Sequence, residues 1–129
     1  MLIAYMLFML GLTLGGFYQV RAPRNLIPLK SMAFDLRAGG RHLVINFLGN
    51  IVAFLPIGFL IPKVVGQGRP FRTVFLLCFA FSLSIELLQG FSGRRVADVD
   101  DVILNTIGGL AGCWIGQGWS ALMLRRASG

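Results

Sequence analysis

The sequence predicts an all-α integral membrane bundle of four transmembrane helices, with a polar pocket confined to one leaflet. Three observations lead there. The 129-residue chain is 56% hydrophobic and only 13% charged, about half the charge of a typical soluble domain. Four apolar stretches, residues 2–20, 43–61, 73–89 and 102–124, account for that deficit. Each has roughly the 17–25 residues a helix needs to cross hydrocarbon. Finally, the polar residues that interrupt the last three stretches recur at helical spacing. Barrel strands would alternate apolar and polar residues instead, and no other backbone satisfies its polar groups within lipid. The length suits a single domain over residues 1–129.

The first stretch reads as a retained span. No basic residue precedes it, no small-x-small cleavage site follows it, and its apolar run is longer than that of a signal peptide. Residues 21–41 form the longest loop. Leu26, Ile27, Leu29, Met32, Phe34 and Leu36 make it apolar enough to lie on the membrane interface. Gly39-Gly40 then breaks the chain before the second span. Within that span Pro56 cannot donate to the carbonyl of Val52, which predicts a kink, and Pro62 marks the expected end. Residues 63–72, with Gly66, Gly68 and Pro70, read as a plain connector. In the fourth span Gly108, Gly112 and Gly116 recur every four residues and present a smooth face for close helix contact. Cys78 and Cys113 fall inside apolar stretches, where a thiol acts as a small hydrophobe.

A net charge of +7 on a soluble protein would suggest nucleic acid. Here the basic residues sit between apolar stretches, so they read as topology signals and headgroup contacts, and no nucleic-acid partner is expected. Four spans place the first and third loops on one side, with seven basic residues against five on the other. That leans towards a cytoplasmic first loop. Setting Arg94 and Arg95 aside as site residues leaves five against five and removes the preference.

The informative residues are the polar ones at the span ends. Asn46 and Asn50 are four apart and share a face of the second helix. Ser82, Glu86 and Gln89 share a face of the third. Asp101 and Asn105 begin the fourth, in line with Gly108 and Gly112. The second helix starts at the first loop, while the third ends and the fourth starts at the third loop. All three polar stripes therefore fall in one leaflet, with Arg94, Arg95, Asp98 and Asp100 just above them. An intramembrane carboxylate such as Glu86 marks a site by default, and Arg94 or Arg95 is its expected partner. Against this stand structural readings. Asp98, Asp100 and Asp101 can cap the fourth helix, and Asn46, Asn50 and Asn105 can be hydrogen-bond glue between helices.

At these residues the chain resembles the VanZ-like family of bacterial membrane proteins, named for a protein linked to resistance to the glycopeptide teicoplanin. The resemblance runs from Asn25 to about Gly116. It rests on Asn25-x-x-Pro28, on Asn46-x-x-x-Asn50 with Phe54-x-Pro56-x-Gly58, and on Glu86-x-x-Gln89. Its most specific segment is Arg95-x-x-Asp98-x-x-Asp101-x-x-x-Asn105-x-x-Gly108. The resemblance implies a multi-pass protein of the bacterial cytoplasmic (inner) membrane, associated with glycopeptide antibiotic resistance.

The reading that follows is a binding protein with no cofactor and no metal, its ligand residues being Asn46, Asn50, Glu86, Gln89, Arg94, Arg95, Asp98, Asp101 and Asn105. Its expected partners are membrane lipids, a lipid-linked cell-wall precursor or a glycopeptide antibiotic. Arginines can fork onto phosphate or carboxylate, asparagines can orient amides, and span interiors can hold a lipid tail. The alternative is an intramembrane enzyme acting on a phospholipid or prenyl phosphate, with Glu86, Asp98, Asp100 and Asp101 around Mg²⁺. Its weakness is that His42 is the only histidine and no familiar catalytic motif is present. A third reading, a subunit or assembly factor of a membrane complex, or a homo-oligomer, follows from the glycine face.

Overall fold

The computed structural model describes residues 1–15, 25–66, 68–92 and 97–127. Its elements are α1 (Leu2–Gly15), α2 (Lys30–Ala38), α3 (Gly40–His42), a π-helical segment π1 (Leu43–Leu48), α4 (Gly49–Val65), α5 (Pro70–Ser92) and α6 (Val99–Ala127). The expectation of an all-α chain holds: among the described residues there is no strand, only an isolated bridge between Asn25 and Asp98. α3, π1 and α4 follow one another without a break.

Two stretches, Val44–Val65 and Pro70–Phe91, are long and apolar enough to cross a membrane. They overlap the second and third predicted spans and are longer than them by about one turn and about one and a half turns. α1 is shorter than its predicted span, and residues 16–20 lie outside the described residues. α6 covers the fourth predicted span but is less hydrophobic than α4 or α5, because glycines and polar residues occupy its buried positions. The helix continues through Pro56 and Pro62 to Val65, so Pro62 does not end it. Gly66, at φ 96°, closes it by donating to the Pro62 carbonyl at 3.2 Å. A departure from α geometry that the sequence did not predict falls at π1. Gly39 and Gly40, both at positive φ, make the expected break between α2 and α3.

The α4–α6 contact sets the packing. A Cβ on Gly108 would collide with the Ile51 carbonyl, one on Gly112 with the Leu55 carbonyl, and one on Gly58 with the backbone of Gly109. At Gly116 the nearest atom belongs to the Phe59 ring, 3.2 Å away. Partners advance by four on both helices, so α4 and α6 run parallel with their backbones in contact. The expected role of the glycine stripe is thus what the geometry shows. α5 closes the third side, its Cys78 seated against Gly109. Phe54, Ile57, Ile61, Val74, Cys78, Ile85 and Cys113 form the core, and α1 packs on it through Leu2, Tyr5, Met6 and Leu10. The Tyr5 hydroxyl donates to the Ala53 carbonyl at 3.0 Å. The outer faces remain apolar, with Val52, Phe75, Phe79 and Trp114 all exposed.

This packing predicts a contrast among glycines. Gly112→Leu forces two backbones apart and should cost about 1–3 kcal/mol or more, whereas Gly118, with open space around its Cβ, should accept Leu without loss. Thermal melting in detergent checks both, and equal melting of Gly112→Leu and the parent would refute the contact.

Candidate functional site

The site begins with a helix that cannot cap itself. α2 starts after Leu29, which has φ 68° and no side chain able to accept a hydrogen bond. The first N–H groups of a helix lack intrahelical acceptors, and here Asp100 supplies them from α6. Its carboxylate accepts from the N–H groups of Leu29 at 2.6 Å, Ser31 at 2.8 Å and Met32 at 3.1 Å. Asp100 is 1% exposed, so its negative charge is met by those N–H dipoles and by the positive end of α2.

The start of α6 is capped twice. Asp98 accepts the Asp100 N–H at 2.9 Å on Oδ1, the usual geometry of an Asp N-cap. The Asp98 N–H donates to Glu86 Oε2 at 2.7 Å. In a capping box the acidic residue three positions after the cap would accept that N–H. Here Glu86 of α5 accepts it instead, and Asp101 turns to α4, taking a 2.6 Å bond from Asn50 Nδ2. Segment 25–31 completes the ring. Asn25 pairs its backbone with Ala97 and Val99, both at 3.1 Å, and donates from Nδ2 to Asp98 at 2.8 Å and to Ser31 Oγ at 2.6 Å. The Ser31 hydroxyl lies within bonding distance of both Asp98 and Asp100.

Two further links lie around this ring. Asn46, on π1, donates to Asp35 of α2 at 3.3 Å. Asn105 donates from Nδ2 to Ser82 Oγ at 2.8 Å, while its buried Oδ1 has no hydrogen-bond partner. Gln89, 3% exposed, lies on the Glu86 face of α5.

The predicted stripes therefore meet at one end of the bundle. Glu86 reaches Asp98, Asn50 reaches Asp101, and Asn105 reaches Ser82. Asn46 does not join Asn50 in serving α6. The wider turns of π1 break the 3.6-residue register that placed them on one line, and Asn46 serves α2. Arg94 and Arg95, with the pairing expected of them, lie outside the described residues.

Sequence reasoning missed Asp35 and Ser31 and gave Asp100 the wrong helix to cap. Charge scarcity was the available signal. The chain has five acidic residues, namely Asp35, Glu86, Asp98, Asp100 and Asp101, and every one belongs to this layer. Their oxygens are aimed at N–H and O–H donors, and among the described residues no three His, Cys, Asp or Glu side chains are grouped to hold a metal ion.

The exposed and buried halves of the layer differ in what they can do. Asn46 is exposed, and Asn50, Asp98 and Asp101 are half-buried, so these four can reach a ligand. Glu86, Gln89, Asp100 and Asn105 are at most 6% exposed, which suits holding the others in place.

The model of the VanZ/LLP1 family matches residues 2–120. No curated protein and no solved structure matches the chain.

The capping geometry predicts that Asp100→Ala, which leaves the N–H groups of Leu29, Ser31 and Met32 at the start of α2 without this acceptor, should cost more than the roughly 0.5–2 kcal/mol of an ordinary cap. Proteolysis should then cut residues 30–38 first. Asn50→Ala and Asp101→Ala should be non-additive in a double-mutant cycle, by about 0.5–3 kcal/mol. Wild-type protection of α2 in Asp100→Ala, or additivity at Asn50 and Asp101, would show that these bonds do not hold the layer.

Proposed function

The chain belongs to the VanZ/LLP1 family, and from that membership we propose that it is a four-span protein of the bacterial cytoplasmic membrane that binds the head of an amphiphile at its polar layer. The observation that carries this reading is the half-exposed group Asn50, Asp98 and Asp101, gathered from two helices onto one end of the bundle. An ordinary interhelical contact needs far fewer polar groups. Polar side chains at the end of apolar helices offer a ligand hydrogen bonds at the head while the exposed helix faces accept its tail.

The described half of the site is rich in acceptors and negative charge. It therefore suits ligands that bring N–H groups: a peptide-bearing lipid-linked cell-wall precursor, a glycopeptide antibiotic or an amine headgroup. Arg94 and Arg95, four and three residues before the Asp98 cap in sequence, would serve the phosphate or carboxylate of the same ligand. Glu86, Gln89 and Asn105 support the group from beneath. The family's association with glycopeptide resistance fits a pocket that meets such molecules at the membrane surface.

Two measurements test the reading. Cysteine labelling at Lys30 and Gly93 should report one side of the membrane, and at Gln67 and Ser128 the other; opposite answers from Lys30 and Gly93 would refute four spans. Native mass spectrometry of gently extracted protein should show one retained amphiphile. Asp101→Asn with Asn50→Ala should weaken its retention about tenfold or more, the loss of one charge-assisted hydrogen bond. Retention unchanged in that variant would place the ligand elsewhere.

A further inference from the structure

Away from the polar layer, the opposite end of the bundle carries its own pattern. Lys63 ends α4, Arg69 and Arg72 flank the start of α5, and Arg125 and Arg126 end α6. All five are exposed, and since the chain's acidic residues all belong to the polar layer, none lies among them. Two apolar grooves run along the outer face of α6 towards this end, and Ile115 lines both. The larger, about 440 Å³, lies between α6 and the first turn of α5 and is walled by Phe71, Trp114 and Trp119. The smaller, about 280 Å³, lies between α6 and α4 and is walled by Pro56 and Phe59. The Lys63 ammonium sits 3.7 Å from the centre of the Phe59 ring, which places a cation at the mouth of the smaller groove. Arg72 follows Phe71 at the mouth of the larger.

We propose that this face is a binding site for one anionic two-chain phospholipid, its acyl chains in the two grooves on either side of Ile115 and its phosphate between Lys63 and Arg72. Charge selects this occupant. A second copy laid in parallel on the same face would bring two sets of these cations together, a repulsion that a phosphate headgroup would instead neutralise. The two groove walls match two chains, and the exposed Trp119, nearer the cationic end of α6 than Trp114, has an apolar body and a polar N–H that suit the level of the headgroups. The site rests on the membrane reading above but not on the polar layer, which lies at the other end of α6.

The test uses the full chain in detergent, titrated with phosphatidylglycerol or phosphatidylcholine and read by native mass spectrometry. One phosphatidylglycerol should bind in preference to phosphatidylcholine. Gly118 lines the larger groove and has free space about its Cβ, so Gly118→Leu should fill the groove and abolish binding while melting remains at the parent value. Lys63→Gln and Arg72→Gln should each cut the preference for phosphatidylglycerol over phosphatidylcholine about fivefold, weakening phosphatidylcholine less because its choline already neutralises its phosphate. Equal binding of the two lipids, or binding indifferent to Gly118→Leu, would overturn the proposal. A dimer that Gly118→Leu dissolves would overturn it in favour of a second copy. Failure of the membrane reading is separately visible, as a chain that stays monodisperse without detergent.

Discussion

The exposed donors at helix N-termini are the constraint on which the rest of this structure depends. A helix presents N–H groups at its start that must find acceptors wherever water is scarce. α2 begins with an apolar residue and depends on Asp100; α6 begins with Asp98, whose own N–H depends on Glu86. Each acceptor comes from a different helix than the one it completes. Three helix ends are thereby fixed relative to one another by bonds that neither hydrophobic burial nor the glycine contact specifies. Apolar surface tolerates sliding, but an Asp capping a neighbouring helix tolerates almost none.

This dependence accounts for the distribution of charge. Five acidic residues in 129 are too few to solubilise anything, and none is used for that. They gather where two positive helix ends compensate them, which lowers the cost of removing carboxylates from water. The far end, where α4 and α6 finish and α5 starts, carries basic side chains and no acidic ones. Those at the ends of α4 and α6 lie at negative helix termini and are favoured by the same dipole argument. The sorting of charge is thus partly a property of helix direction. A ligand approaching the polar layer meets carboxylates with basic side chains such as Lys30, Arg37 and Arg41 around them, and at the other end it meets basic side chains without acidic ones.

Much of this was legible in the sequence, and the limits have physical causes. Apolar runs located α4, α5 and α6, and spacing of four located the glycine face, because both signals are local and periodic. Span counting placed Asn50, Glu86, Asp101 and Asn105 at one end. The fine pairing was not legible, since the helix that Asp100 caps depends on where segment 25–31 folds back, and no local pattern encodes that. Asn46 serves α2 through Asp35, not α6, because a π segment changes the period on which the reading relied. Asp35 was passed over as a loop residue, although an acid in so apolar a loop needs a reason. Glu86 also accepts a backbone N–H, that of Asp98, an acceptor role that residue types alone do not announce.

α6 shows how the separate requirements combine in one helix. It has 29 residues, or about 43 Å at 1.5 Å per residue, which under the proposed topology reaches from one headgroup layer to the other. Yet it is the least apolar of the three long helices. The contradiction resolves once its neighbours are considered. A helix facing lipid on all sides must be apolar throughout, whereas α6 gives one side to α4 and another to α5. On those sides it needs closeness, so it uses Gly108, Gly109, Gly112 and Gly116, which add no hydropathy. Its remaining face carries Trp114, Ile115 and Leu122, all exposed. Composition averaged around the helix therefore understates how well it suits a membrane, because burial by other helices replaces burial by lipid. The same central position puts Asp98 and Asp101 at one end of α6 and Arg125 and Arg126 at the other, each sign matched to its helix terminus. A single rigid element therefore links the two ends of the bundle, the one that gathers the chain's five acidic residues and the other that has basic side chains and no acidic ones.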